Sequence, residues 1–261
     1  MMTAPLNGNA PLNAGDITRL KRQAAEAAVE FVEPGMVVGL GHGSTAIWAV
    51  MRLAHLWKQG LLPEIVCVAC STQVEREAMA LGLPLVSLDD HPHVDITIDG
   101  ADEVDPHLNL IKGGGGALLR EKIVAQSSAR EVIVVDHKKL STQLGTRFAL
   151  PVEVAWFGAK ATANWLSTLG CDAKIRVRHS TGLPFETDQG NLIVDCHFGP
   201  LADPHGLARI LEARAGVVAH GLFLGLATDV IVAAPDGIRH LRTSHWQPQP
   251  QKIPQKTEQT S

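Results

Sequence analysis

Residues 111 to 122 read IKGGGGALLREK: a lysine, four consecutive glycines and, inside the helix-like run that follows, a glutamate. Gly113, Gly114, Gly115 and Gly116 carry no side chains, so an approaching group meets amide N–H groups at the mouth of a helix, with Lys112 before it and Glu121 just inside. Such a backbone suits an anion, and an ammonium beside a carboxylate suits proton transfer. Two other stretches extend the set. DGADEVD, residues 99 to 105, follows the strand-like DITID, which puts Asp99, Gly100, Ala101 and Asp102 at the carboxyl end of a strand, where open α/β sheets bind ligands. GLGHGSTA, residues 39 to 46, lies between a strand and a helix; its N–H groups around His42 and Gly43, and the hydroxyls of Ser44 and Thr45, offer a cradle for phosphate. Singly, each stretch has a plain structural reading as a capped turn, a solvated Asp-Gly turn or a flexible glycine linker. Together, at the ends of neighbouring strands of one sheet, they supply a phosphate cradle, two carboxylates, an ammonium and a further carboxylate, enough to abstract a proton beside a carbonyl.

Other chemistries find less support. From Gly41 the first loop spells the dinucleotide fingerprint G-x-G-x-x-A. That fingerprint needs an acidic residue about 20 positions on, at the end of the next strand, where this chain has Cys70, Ser71 and Thr72. Clustered aspartates could hold a hard cation, yet no His-x-x-His or second acidic cluster stands at ligand spacing, and His91 and His93 fall in a loop. Cys67 and Cys70, three apart in the strand-like EIVCVAC, point to opposite faces and read as packing residues. The expectation is a site without metal or cofactor.

The 261 residues are 45% hydrophobic and 19% charged, normal for a globular chain that buries a sizeable core. A net charge of −4 with scattered Lys and Arg argues against a nucleic-acid surface. No apolar run reaches the roughly 18 residues of a membrane span, and the start lacks the regions of a signal peptide, so the expected compartment is the cytoplasm. Four cysteines are too few for a disulfide scaffold in a chain of this length.

Alternating periodicities supply the frame. Asp16 can cap a helix over 17–32, closed by Pro34 and Gly35; strand patterns at 36–40, 64–70, 95–99 and 131–135 alternate with helices after GHGST, at 74–82 and at 117–129. That rhythm predicts a parallel sheet with helices on both faces. After Pro151 the order becomes strand 152–156, helix 159–170, strand 173–178, strand 192–198, helix 203–213 and strand 216–223, the split β-α-β-β-α-β unit. Residues 229–241 read as two strands around Pro235, Asp236 and Gly237 that return to the first sheet. The predicted fold class is α/β, a Rossmann-like open parallel sheet (16–150 plus 229–243) with a smaller ferredoxin-like α+β domain (151–228). The polar, proline-punctuated tails, 1–15 and 244–261, are expected to be disordered.

GLGHGSTA, DGADEVD and KGGGGALLREK, in this order and spacing, resemble the type A ribose-5-phosphate isomerase family, and VDHKKL, PVEV, TDQGN, AGVVAHGLF and PDG resemble its later landmarks. The likeness spans about residues 17 to 243. It implies a Rossmann-like plus a ferredoxin-like domain, and interconversion of ribose 5-phosphate and ribulose 5-phosphate through a cis-enediolate, in the non-oxidative pentose phosphate pathway, without metal or cofactor. It implies Glu121 as the base between C2 and C1, Lys112 and Asp99 at the ring oxygen and carbonyl, and Asp102 on the hydroxyls. Ser44, Thr45 and, in VDHKK, Lys139 rather than Lys138 would hold the phosphate, with His42, Gly43, Gly100, Ala101, Gly113, Gly114 and Gly115 lining the substrate. A homodimer or homotetramer is expected. Two departures stand out: His42 replaces the family's usual Thr, and the Ser/Thr-rich stretch after the second strand shrinks to Cys70, Ser71 and Thr72. A protonated His42 ring facing the phosphate would add a hydrogen bond that Thr cannot. A sugar-phosphate sensor, or an amino-sugar phosphate isomerase or deaminase, is the alternative; the former would need a helix-turn-helix that the single N-terminal helix does not supply.

Overall fold

A computed structural model describes residues 14–243; the C-terminal stretch from 244 and most of the N-terminal one, to 13, lie outside the described residues. The elements run α1 (Ala14–Val29), β1 (Val37–Leu40), α2 (Ala46–Lys58), β2 (Val66–Ala69), α3 (Thr72–Ala80), β3 (Ile96–Asp99), β4 (Glu103–Val104), β5 (Leu110–Ile111), α4 (Leu118–Gln126) and β6 (Glu131–Asp136). They continue with β7 (Leu150–Val154), α5 (Ala159–Thr168), β8 (Asp172–Ile175), β9 (Leu192–His197), α6 (Pro204–Glu212), β10 (Val217–His220), β11 (Leu222–Phe223), β12 (Asp229–Ala234) and β13 (Gly237–Arg242).

The first sheet has the order β13-β12-β6-β3-β1-β2, parallel throughout except for the hairpin partner β13. Alternation along its strands divides two apolar faces. Val38, Leu40, Ile96, Ile98, Val132 and Val134 pack against Leu20, Ala24, Ala25 and Ala28 of α1 and Val50 and Leu53 of α2. Ile133, Val135, Val230 and Val232 face the other way, onto Ala125 of α4 and Phe223. The second sheet is antiparallel with the order β10-β7-β9-β8, as a split β-α-β-β-α-β unit requires, and α5 and α6 cover one face through Leu166 and Leu211. Its other face meets α4, where Leu118 packs on Ile193 and Ala219. Helix α4 is thereby held between two sheets, buried at Leu118, Glu121, Val124 and Ala125.

Three expectations are corrected, and one sheet is added to them. Helix α1 begins at Ala14, so residues 14 and 15 are helical. Asp16 does not precede the helix but lies in its first turn, where its carboxylate favours the positive end of the helix and stands 3.6 Å from Arg19. A third sheet, β11-β5-β4, was not legible, because two of its strands are two-residue arms of a hairpin closed by a turn at Asp105 to Asn109. The single strand expected over 216–223 is two strands in two sheets. At Gly221 the chain leaves β7, its N–H donating to the Pro151 carbonyl (2.7 Å), and hooks onto β5 by accepting from the Lys112 N–H (2.9 Å). A β-carbon at Gly221 would overlap the Lys112 carbonyl, so this crossing needs glycine.

Candidate active site

The β4–β5 hairpin explains how two distant motifs meet. Glu103 pairs with Ile111, which brings Asp102 and Lys112 opposite each other where the strands end, and the Asp102 N–H donates to the Ile111 carbonyl at 2.8 Å. Strand β3 delivers Asp99 to the same place, and the β1–α2 loop crosses above it so closely that a β-carbon at Gly41 would overlap Asp99. A cleft opens there, lined by His42, Gly43, Ser44, Thr45, Gly100, Ala101, Asp102, Lys112, Gly113, Gly114, Gly115, Glu121 and Lys139. Every expected site residue except Asp99 lines it, and Asp99 lies directly beneath.

Lys112 is the centre of charge. Its side chain is 2% exposed, and its ammonium stands 3.0 Å from Asp99 Oδ2 and 3.1 Å from Glu121 Oε1 while donating to the Gly100 carbonyl at 2.6 Å. Burial works against its charge, but Asp99 and Glu121 outweigh burial and hold it well above the ordinary lysine range. Asp99 Oδ1 accepts the N–H groups of His42 (3.0 Å) and Gly100 (2.7 Å), so the carboxylate is tied on both oxygens. Glu121 is different: Oε1 meets Lys112, whereas Oε2 is buried without a hydrogen-bond partner. Burial pushes its carboxyl up to about 8; Lys112 opposes the rise and Asp99 adds to it. An orphaned oxygen on a carboxyl poised near neutrality, facing a cleft, is suited to take and return a proton.

The four glycines answer to four different neighbours. A β-carbon at Gly113 would press on Leu118, at Gly114 on Asp102, at Gly115 on the His42 ring and at Gly116 on the Phe185 ring. The Gly114 N–H donates to Asp102 Oδ2 at 2.7 Å. Ser44, Thr45 and Lys139 also line the cleft, and Lys138 does not. The His42 ring points neither freely into solvent nor alone into the cleft: Nδ1 lies 2.9 Å from Ser71 Oγ, which also accepts the Val74 N–H as the cap of α3.

Several participants were not read from the sequence. Lys21 of α1 donates to Ser44 Oγ at 2.7 Å, adding a cation beside the β1–α2 loop. Only the packing of α1 against α2 brings it there, and no local signal marks it. Ser71 reaches the site through His42. Cys70 is fully buried with Val68, Val94 and Val124, on the opposite face from Cys67, yet its sulfur comes within 4.8 Å of ligand atoms of Asp99 and Glu121. Burial first, then those carboxylates, push its thiol well above the ordinary range. The Lys112 ammonium touches both carboxylates of that group.

Residues 66–237 match the family described as Ribose 5-phosphate isomerase A (phosphoriboisomerase A). The ribose-5-phosphate isomerase A of Chloroflexus aurantiacus is 57% identical over 233 residues, which cover 89% of this chain and 97% of that protein. Among solved structures, the ribose 5-phosphate isomerase from Plasmodium falciparum superposes with a TM-score of 0.84 at 40% identity, covering 87% of this chain and all of that one. A D-ribose-5-phosphate isomerase in complex with phospho-erythronic acid superposes with a TM-score of 0.85 at 36% identity, over 88% of this chain and 100% of the other.

Proposed function

The chain belongs to the ribose 5-phosphate isomerase A family, and from that membership and the geometry of its cleft we propose that it interconverts D-ribose 5-phosphate and D-ribulose 5-phosphate through a cis-enediolate, a step of the non-oxidative pentose phosphate pathway. The observation that carries the chemical reading is the unpartnered Oε2 of buried Glu121 beside the Lys112 ammonium. In the proposed mechanism the phosphate rests on Ser44, Thr45 and Lys139 with the His42–Gly43 backbone, and Asp102 orients the sugar hydroxyls. Asp99 and Lys112 act at the ring oxygen to open the furanose. Glu121 then removes the C2 proton; the electrons move onto the C1 carbonyl oxygen, and Lys112 with the glycine N–H groups stabilises the charge that develops there. The O2 hydroxyl proton passes to O1 by way of Asp99 and Lys112, and Glu121 returns its proton to C1, so atoms and charge balance with no external oxidant. Burial supports the assignment by keeping the Glu121 carboxyl basic enough to work near neutral pH.

Ribose 5-phosphate followed by NMR in heavy water tests this directly. Ribulose 5-phosphate should form, with deuterium appearing at its C1 in the fraction of turnovers in which the protonated Glu121 carboxyl exchanges with solvent before returning its proton. Glu121→Gln should lower turnover by about 10²- to 10⁴-fold while substrate still binds. Absence of ketose from the unaltered protein, or near-normal turnover in the variant, would remove the reading.

We also propose the division into a Rossmann-like unit, 16–150 with 229–243, and a ferredoxin-like unit, 151–228, sharing the β11-β5-β4 sheet between them. Among the described residues no helix is long and apolar enough to cross a membrane. A cytoplasmic homodimer or homotetramer, with no nucleic-acid partner, completes the proposal; sedimentation equilibrium would test its mass.

A further inference from the structure

The glycine loop lines the cleft but has no side chains with which to hold itself. Besides the Gly114–Asp102 bond and a turn in which the Gly116 N–H donates to the Gly113 carbonyl (3.0 Å), the loop is held from the second sheet. Arg176, the residue following β8, donates from one guanidinium nitrogen, Nη1, to the carbonyls of both Gly113 (2.9 Å) and Gly114 (3.1 Å). The rest of the fork is occupied by Asp195 of β9, with Nε to Oδ2 at 2.9 Å and Nη2 to Oδ1 at 2.5 Å. The Arg176 backbone is tied as well, its N–H to the Ile193 carbonyl and its carbonyl to the Phe185 N–H, both at 2.8 Å. Side-chain exposures of 14% for Arg176 and 24% for Asp195 mean that the pair is largely shielded from competing water. A bidentate pair of this kind leaves the guanidinium little freedom to move.

The consequence for the loop follows from peptide geometry. In a trans peptide the C=O and the next N–H point in opposite directions. The Gly113–Gly114 peptide shows the arrangement complete: its carbonyl faces Arg176 and its N–H faces Asp102 across the loop. The Gly114–Gly115 peptide has its carbonyl turned to the same guanidinium nitrogen, which aims the Gly115 N–H away from Arg176. That N–H finds no acceptor among the described residues, and Gly115 lines the cleft.

We propose that Arg176, backed by Asp195, is a positioning residue that orients the Gly114–Gly115 peptide so that the Gly115 N–H is presented to the substrate's reacting oxygens. This rests on the isomerase reading for what the N–H is used for, though not for the clamp itself. Arg176 touches no substrate; it acts through the loop. Four glycines allow the loop to approach its neighbours, and the clamp supplies the rigidity that they remove.

The test compares the unaltered protein with Arg176→Ala, Arg176→Lys and Asp195→Asn, and with Arg176→Ala/Asp195→Asn. Steady-state kinetics with ribose 5-phosphate are combined with amide hydrogen exchange over residues 111–118 of the free protein. Arg176→Ala should exchange faster in that segment and lose about 10²-fold in kcat with KM changed far less, as expected for a misplaced donor. Arg176→Lys, which keeps the charge but not the fork, should fall between; should the alanine variant fail to fold, the lysine variant carries the test by the same measures. The double variant should be no worse than Arg176→Ala, since Asp195 acts only through the arginine. Unchanged exchange in the loop, unchanged kcat, or a loss confined to KM would each overturn the proposal. If the unaltered protein leaves ribose 5-phosphate untouched, the isomerase reading fails, while the exchange measurement still decides whether Arg176 holds the glycines.

Discussion

Replacing Lys112 by Met removes a cation from between two buried carboxylates while keeping the volume of the stem. The ammonium lies 3.0 Å from Asp99 and 3.1 Å from Glu121. At an effective dielectric constant of about 20, each contact of that length contributes about 5 kcal/mol of attraction. One pKa unit corresponds to about 1.4 kcal/mol, so complete loss sets an upper bound of about 4 units on the rise in the Glu121 pKa. Asp99 keeps its two backbone donors and water can enter the vacated space, so about 2 units is the expected rise. The sign is decided by the role of the base. Glu121 works only when ionised, so raising a carboxyl that already titrates near 8 protonates more of it at neutral pH and slows the reaction. That accounts for about 10²-fold, and loss of the ammonium at the developing oxyanion adds about 10²- to 10³-fold, for a total of about 10⁴- to 10⁵-fold at pH 7.5. The assay is kcat/KM against pH for both proteins. In the variant, the limb on which activity falls with acidification should move to higher pH, and residual activity should still climb at pH 9 where the unaltered protein has levelled. A limb in the same place, however low the plateau, would refute the reasoning that Lys112 sets the ionisation of Glu121.

Two other tests address the frame. Asp229 of β12 is fully buried and accepts from Arg130, Thr228, His240 and Arg242; burial alone would raise its pKa, but those donors prevail and hold it far below the usual range. A depressed carboxyl contributes stability above its unfolded pKa and loses it on acidification. Asp229→Asn should therefore cost about 3 kcal/mol at pH 7, with the difference shrinking below about pH 4; urea midpoints at the two pH values check it, and a pH-independent difference would contradict it. Gly41→Ala should lower turnover by about 10²-fold, because a β-carbon there cannot coexist with Asp99 in its present place; kcat together with a thermal melt separates this displacement from simple unfolding.

Much of this molecule could be read before it was folded, for reasons tied to particular elements. The near-continuous apolar runs of Val37–Leu40, Val66–Ala69, Ile96–Asp99 and Glu131–Asp136, the first two followed directly by helices, suit a parallel sheet covered on both faces, and such a sheet places the loops after its strands on one edge. That is why Asp99 and the Gly43–Thr45 loop could be named together from local patterns; Lys112 instead follows β5 of the third sheet and Glu121 stands on α4, so the expectation that all three loops end strands of one sheet is corrected. Distances, partners and ionisation could not, because they arise between segments with no sequence relation. The β4–β5 hairpin is too short to show a period, yet it decides that Asp102 stands opposite Lys112. Burial of α4 between two sheets, invisible in LLREKIVAQ itself, raises the Glu121 carboxyl toward neutrality. Lys21 reaches Ser44, and Arg176 reaches the glycine carbonyls, across 23 and 63 residues of chain. Local periodicity encodes which face of an element is apolar; only the packing of one face on another determines which charges lose their water, and the chemistry of this cleft depends on that loss.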